Sequence, residues 1–120
     1  MPRTILVVDD EKDVLELLAT KLTIANYNVL TADNGLDALT IAKAEKPDLI
    51  ILDILMPGMD GAETAEALKN DPATKSIPII FLTCLVTKSE EEKHIKGGRY
   101  FMAKPYASDE LLEVIAKHLA

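Results

Sequence analysis

Leu49-Ile50-Ile51-Leu52-Asp53 sets four branched aliphatic residues in an unbroken row and closes them with a carboxylate. A strand with one wet face would alternate apolar and polar residues, and this run does not. A continuous apolar strand fits a parallel sheet covered by helices on both faces. The same pattern appears upstream in Ile5-Leu6-Val7-Val8, closed by Asp9-Asp10-Glu11, and downstream in Ile79-Ile80-Phe81-Leu82, closed by Thr83.

Helical spacing fills the intervals. Val14, Leu18 and Leu22 share one face after the first run, with Leu15 beside them. Tyr27 to Thr31 reads as a second strand, and Asn34-Gly35 as a turn opening a helix through Leu39 and Ala42. The loop Met56 to Gly61 leads into an Ala-rich helix to about Leu68, stopped by Asn70-Asp71-Pro72. The charged stretch Lys88 to Ile95 predicts a short exposed helix, ended by Gly97-Gly98. Tyr100-Phe101-Met102-Ala103 is the last strand. Ser108 caps a final helix whose first turn carries Asp109 and Glu110, suited to its positive end. Leu111, Ile115 and Leu119 form its buried stripe. Five βα units in succession predict an open, doubly wound α/β sandwich. With 120 residues and no repeat or linker, the whole chain, 1–120, is expected to be one domain.

Composition narrows the function. Apolar residues make up 48%, enough for a core without a metal or disulfide staple. A net charge of −7 disfavours direct contact with nucleic acid or anionic membranes and reads as a solvated acidic surface. The one cysteine, Cys84, cannot form an internal disulfide, and its apolar neighbours mark it as a small buried side chain. No signal peptide or membrane-spanning apolar stretch is visible, so a cytoplasmic location is expected. His94 and His118 are isolated and read as surface residues.

In an open parallel sheet the ligand crevice lies outside the carboxyl ends of the strands. This sequence puts Asp9, Asp10, Asp53 and Thr83 at those ends, and Lys104 just beyond the last one. Any one of them has a plain explanation, such as the cap of a following helix. Five at one crevice do not. Three carboxylates together repel, and a hard divalent cation removes the conflict. Oxygen-only ligands without His or Cys suit Mg2+. A lysine and a hydroxyl beside the metal complete a clamp for phosphoryl oxygens, in which a carboxylate can be the nucleophile.

These segments resemble the receiver domains of two-component response regulators. Ile5 to Glu11 is similar to the family's first strand and acidic pair, and Leu49 to Gly61 to its phosphoacceptor segment. Ile79 to Thr83 and Lys104-Pro105-Tyr106 resemble its other two motifs. The resemblance covers essentially the whole chain. It implies a flavodoxin-like, five-stranded parallel sheet in the order 2-1-3-4-5. It makes Asp53 the phosphoacceptor, with Asp10 binding Mg2+ directly, Asp9 mainly through water, and the backbone carbonyl of Leu55 completing the protein ligands. Lys104 pairs with a phosphoryl oxygen, and the Lys104-Pro105 bond is cis in such domains. Thr83 and Phe101 are the switch pair, remodelling a face that includes residues near Lys88 to Ile95, Phe101 and Leu111 to Ile115.

The implied function is a phosphorylation-activated switch that takes its phosphoryl group from a histidine kinase or phosphotransfer protein. It catalyses its own modification and turns over no outside substrate. The implied output is a downstream effector or a separate output domain, in a monomer or weak dimer. Both a complete single-domain regulator and the excised front of a longer protein fit the sequence.

Three departures stand out. Phe101 occupies a position that is often Tyr in the family, and Tyr100 on the opposite strand face does not replace it. Cys84 is larger than the residue usual beside Thr83. Leu55 and Leu85 flank the site with no hydrogen bond for an attacking water, which predicts slow self-dephosphorylation. A phosphohydrolase with an aspartyl nucleophile is the rival enzyme. It commonly has a second Asp two residues after the first, where this chain has Leu55. A receiver that no longer takes phosphate is the rival binding module, but such proteins tend to lose the acidic pair, the acceptor or the lysine, all present here.

Overall fold

The computed structural model describes residues 3–53, 61–83, 95–96, 99–103 and 108–119. Along the chain these are β1 (Thr4–Val8), α1 (Lys12–Ile24), β2 (Asn28–Ala32), α2 (Gly35–Glu45), β3 (Leu49–Asp53) and α3 (Gly61–Asn70). They continue as β4 (Ile79–Thr83), β5 (Ile95–Lys96), β6 (Arg99–Ala103) and α4 (Ser108–Leu119). The sheet order is β2-β1-β3-β4-β6-β5. The first five of these are parallel neighbours, which is the expected 2-1-3-4-5 order with β6 as the fifth parallel strand.

Unbroken apolar strands arise because successive side chains enter two different cores. Ile5, Val7, Leu49, Ile51 and Ile80 pack with Leu15, Leu18 and Leu22 of α1 and Ile115 of α4. Leu6, Val8, Ile50, Leu52 and Phe81 pack on the other face with Ala38, Ala42, Ala65 and Leu68 of α2 and α3. Val14, Leu112 and Leu119 are partly buried against the first cluster, and Leu39 against the second. The stripe expected on the last helix therefore holds for Ile115 and Leu119, with Leu112 joining it. The Leu111 side chain lies outside the described residues.

The sixth strand was not expected. Ile95 and Lys96 pair antiparallel with Tyr100 and Arg99, so Ile95 ends no helix as the charge pattern had suggested. Antiparallel pairing with β6 thus replaces the helical reading at Ile95 and Lys96. Residues 88–94 of the expected helix lie outside the described residues.

Two other boundaries moved for visible reasons. β2 begins at Asn28 rather than Tyr27 because the Tyr27 amide is taken by the Leu22 carbonyl (3.0 Å) while Asn26 N–H donates to Thr23 (3.0 Å). These two bonds close α1 with Asn26 in the left-handed region at φ 73°, where asparagine is tolerated. α3 runs to Asn70, two residues past the expected end, and then Asp71 turns the chain. Its Oδ1 accepts from Ala73 N–H (2.9 Å), and the buried Thr74 hydroxyl donates to the Leu68 carbonyl (2.6 Å).

α2 starts as its sequence suggested. Asn34 Oδ1 accepts from Asp37 N–H (2.8 Å), satisfying one of the free amides of the first turn. Asn34→Ala is expected to lower stability by about 1 kcal/mol, read as a shift of the urea midpoint at constant m-value. No shift would mean that the Asn34 contact contributes nothing.

A second prediction concerns Asp71, whose Oδ2 lies 3.1 Å from Lys43 Nζ. The Ala73 amide and then the Lys43 ammonium hold its carboxyl below the ordinary value of 3.8. A depressed folded value means stability that is present above pH 3.8 and lost as pH falls through the folded value. Asp71→Asn should therefore lower stability modestly at neutral pH and converge with wild type below about pH 4, which flattens its acid limb. Parallel acid limbs in the two proteins would contradict this.

Candidate functional site: a carboxylate cluster at the strand ends

β1 and β3 are adjacent and parallel, with Val8 opposite Leu52. The next residues, Asp9 and Asp53, therefore emerge side by side at the carboxyl edge of the sheet. Asp9 N–H donates to the Ala32 carbonyl (3.1 Å), carrying the β1–β2 ladder one residue past the strand. Its Oδ1 accepts from Glu11 N–H (3.0 Å). That bond fixes the carboxylate against the start of α1, whose Glu11 side chain provides no cap of its own.

Asp9 and Asp53 are 1% and 5% exposed, whereas Asp10 faces solvent. One carboxylate oxygen from each of the three lies within 4.8 Å of the others. In an octahedral Mg2+ shell adjacent oxygens stand about 3 Å apart and opposite ones about 4.2 Å. A group of oxygen donors this tight, two of them held inside the fold, fits a small hard cation with water filling the remaining positions. The same residues without a cation would crowd three negative charges together.

β4 runs parallel to β3 with Leu82 opposite Asp53, so Thr83 lies one residue further along at the same edge. Thr83 in turn pairs with Ala103 of β6, and the chain leaves β6 towards Lys104 there. Phe101 sits opposite Phe81 in the same ladder. The side chains of Thr83 and Phe101 lie outside the described residues, as do Leu55, Lys104, Cys84, Leu85 and His94 altogether. His118 belongs to α4. The backbone thus brings Asp9, Asp10, Asp53 and Thr83 to one edge. Sequence reasoning missed the Glu11 amide that holds Asp9; an Asp two residues before the N-cap position of a helix was the available signal.

Among the described residues, no helix is long and apolar enough to cross a membrane.

A family model described as "Response regulator receiver domain" matches residues 5–116. The response regulator PleD of Caulobacter vibrioides is 42% identical over 106 residues, 88% of this chain but 23% of PleD. The polar-differentiation response regulator DivK of Brucella anthropi is 32% identical over 120 residues, covering 99% of this chain and 98% of DivK. Among solved structures, chemotaxis protein CheY4 of Vibrio cholerae superposes with a TM-score of 0.87 at 29% identity, over 99% of this chain and 100% of that one. The chain therefore spans less than a quarter of PleD and nearly all of DivK.

Proposed function

The chain belongs to the response regulator receiver domain family, and from that premise we propose that it is a switch phosphorylated on Asp53. Receiver domains are signalling switches of two-component systems that work with histidine kinases or phosphotransfer proteins and with output domains. The family binds Mg2+ at an acidic pocket. The observation that carries the present reading is the convergence of Asp9, Asp10 and Asp53 within 4.8 Å at the carboxyl edge of the sheet.

In this reading an Asp53 carboxylate oxygen attacks the phosphorus of a phosphohistidine on the donor. The new O–P bond forms as the P–N bond breaks, and the imidazole leaves with its electron pair. Asp10 and Asp53 would hold Mg2+ directly, Asp9, tied to the Glu11 amide, would act mainly through water, and the Leu55 carbonyl would complete the protein ligands. Mg2+, when bound, would balance the charge on the transferring phosphoryl oxygens. Lys104 would pair with one of those oxygens, and the Thr83 hydroxyl would donate to another. Thr83 and Phe101, which lie on β4 and β6, would carry the change to the face around Lys88 to Ile95 and α4.

Residues 1–120 would form one receiver domain, turning over no outside substrate and acting in the cytoplasm on an effector or an attached output domain. It would work as a monomer or weak dimer without touching nucleic acid. The apolar Leu55 and Leu85 would make the acyl phosphate long-lived.

Intact mass after incubation with phosphoramidate tests the core of this reading. A gain of one phosphoryl group with Mg2+, absent in chelator and absent in Asp53→Asn, is the expected result. An unmodified wild-type chain, under conditions that modify another receiver, would favour a module that binds partners without phosphate.

A further inference from the structure

The two ends of the sheet carry opposite charge. Beyond the carboxylate pocket, the carboxyl edge is ringed by Glu11, Asp13, Asp33, Asp37 and Glu63, all exposed. Asp13, Asp37 and Glu63 stand in the first turns of α1, α2 and α3. Asp33 follows directly on Ala32, whose carbonyl holds the Asp9 amide. Asn34 Nδ2 gathers Asp33 (2.7 Å) and Asp37 (3.0 Å) next to it. Among the described residues of this rim, Lys12 is the one basic side chain; the expected clamp lysine, Lys104, would add a second.

The opposite end collects Lys21, Lys43 and Lys69 from the last turns of the same helices, together with Arg3, Lys46 and Lys75. Two of the acids there, Asp48 and Asp71, are engaged by Arg3 and Lys43.

Helix dipoles explain why each terminus tolerates its charge. They do not remove the field that the summed charges set up at the mouth of the site. An excess of one sign around a crevice changes the local concentration of charged reactants, and the effect is screened over about 10 Å at 0.1 M salt.

We propose that the acidic rim of Asp13, Asp33, Asp37 and Glu63 sets donor specificity, disfavouring dianionic small-molecule phosphodonors at Asp53. This inference rests on Asp53 being the phosphoacceptor. The rim residues touch no reacting atom; they act through the potential at the site. A dianion such as acetyl phosphate approaches against that potential, whereas phosphoramidate, with one fewer negative charge at neutral pH, is opposed less.

The test compares initial phosphorylation rates with the two donors at saturating Mg2+, in low and high salt. It uses wild type, a rim variant (Asp13→Asn with Glu63→Gln), and a far-end control (Lys75→Gln with Lys46→Gln). Melting temperatures confirm that each is folded. The rim variant should gain about threefold with acetyl phosphate at low salt and clearly less with phosphoramidate. The gain should fade by about 0.5 M salt, and the far-end variant should stay near wild type. Equal gains with both donors, no gain, or a gain that survives high salt would overturn the rim's role while leaving Asp53 as acceptor. Failure of both donors to modify any of the proteins would overturn the Asp53 reading and the rim with it.

Discussion

Replacing Asp53 with asparagine should stabilise the metal-free protein while ending most of its response to Mg2+. Three carboxylate oxygens lie within 4.8 Å of one another, and Asp9 and Asp53 are nearly shut off from water. At an effective dielectric of about 20, two unit charges at that distance repel by about 3.5 kcal/mol. Asp10 is exposed, so its share is discounted for solvent screening. Interactions of Asp53 that an asparagine would lose offset part of the gain. A net stabilisation of about 1–2 kcal/mol is expected in chelator, against the usual direction for a change at a buried position.

Mg2+ should stabilise the two proteins unequally. At 10 to 100 times its dissociation constant, a ligand of the folded state adds about 1.4 to 2.7 kcal/mol. Wild type should show that rise in melting temperature, and Asp53→Asn only a small part of it. Thermal unfolding of both proteins in chelator and in Mg2+ gives the four numbers needed. A variant less stable than wild type in chelator, with an equal Mg2+ response, would mean that the carboxylates neither repel nor share a cation.

The second large effect lies in the core. Ile51 occupies the middle of β3, paired between β1 and β4, with no exposed surface. Its side chain enters the cluster shared by α1 and α4. Ile51→Ala removes that packing and leaves a cavity that neighbours on both strands cannot collapse into. The expected loss is about 3–4 kcal/mol, a large share of the roughly 5–15 kcal/mol that holds a domain folded. Leu36→Ala is the matched control, because Leu36 is 66% exposed on α2 and its change should stay within about 0.5 kcal/mol. Similar urea midpoints for the two variants would show that the sheet core is not the main source of stability.

Most of the architecture was legible because it was written in local patterns. Leu49 to Asp53 and Ile5 to Val8 lack alternation, which only a sheet covered on both faces explains, and the two core clusters divide those residues one by one. The Asn34 cap also needed no tertiary information, since the bond spans three residues. Where the reading slipped, the deciding contacts were not in the pattern it used. Charge along 88–95 suggested a helix, yet Ile95 pairs with Tyr100. Tyr27 looked like strand by composition, but its amide belongs to the end of α1.

The sequence alone determined which side chains could do the chemistry: oxygen ligands without nitrogen or sulfur, and carboxylates placed directly after apolar strands. Their meeting was decided by tertiary structure. Asp9 and Asp53 stand forty-four residues apart in the chain and become neighbours only because β1 and β3 pair in parallel with Val8 opposite Leu52. The Glu11 amide then orients Asp9, and the alternating entry of strand residues into two cores leaves both carboxylates buried at the edge. Local spacing specifies the type of each residue and its element. Strand register specifies the distance between charges, and that distance is what brings three aspartates within 4.8 Å of one another.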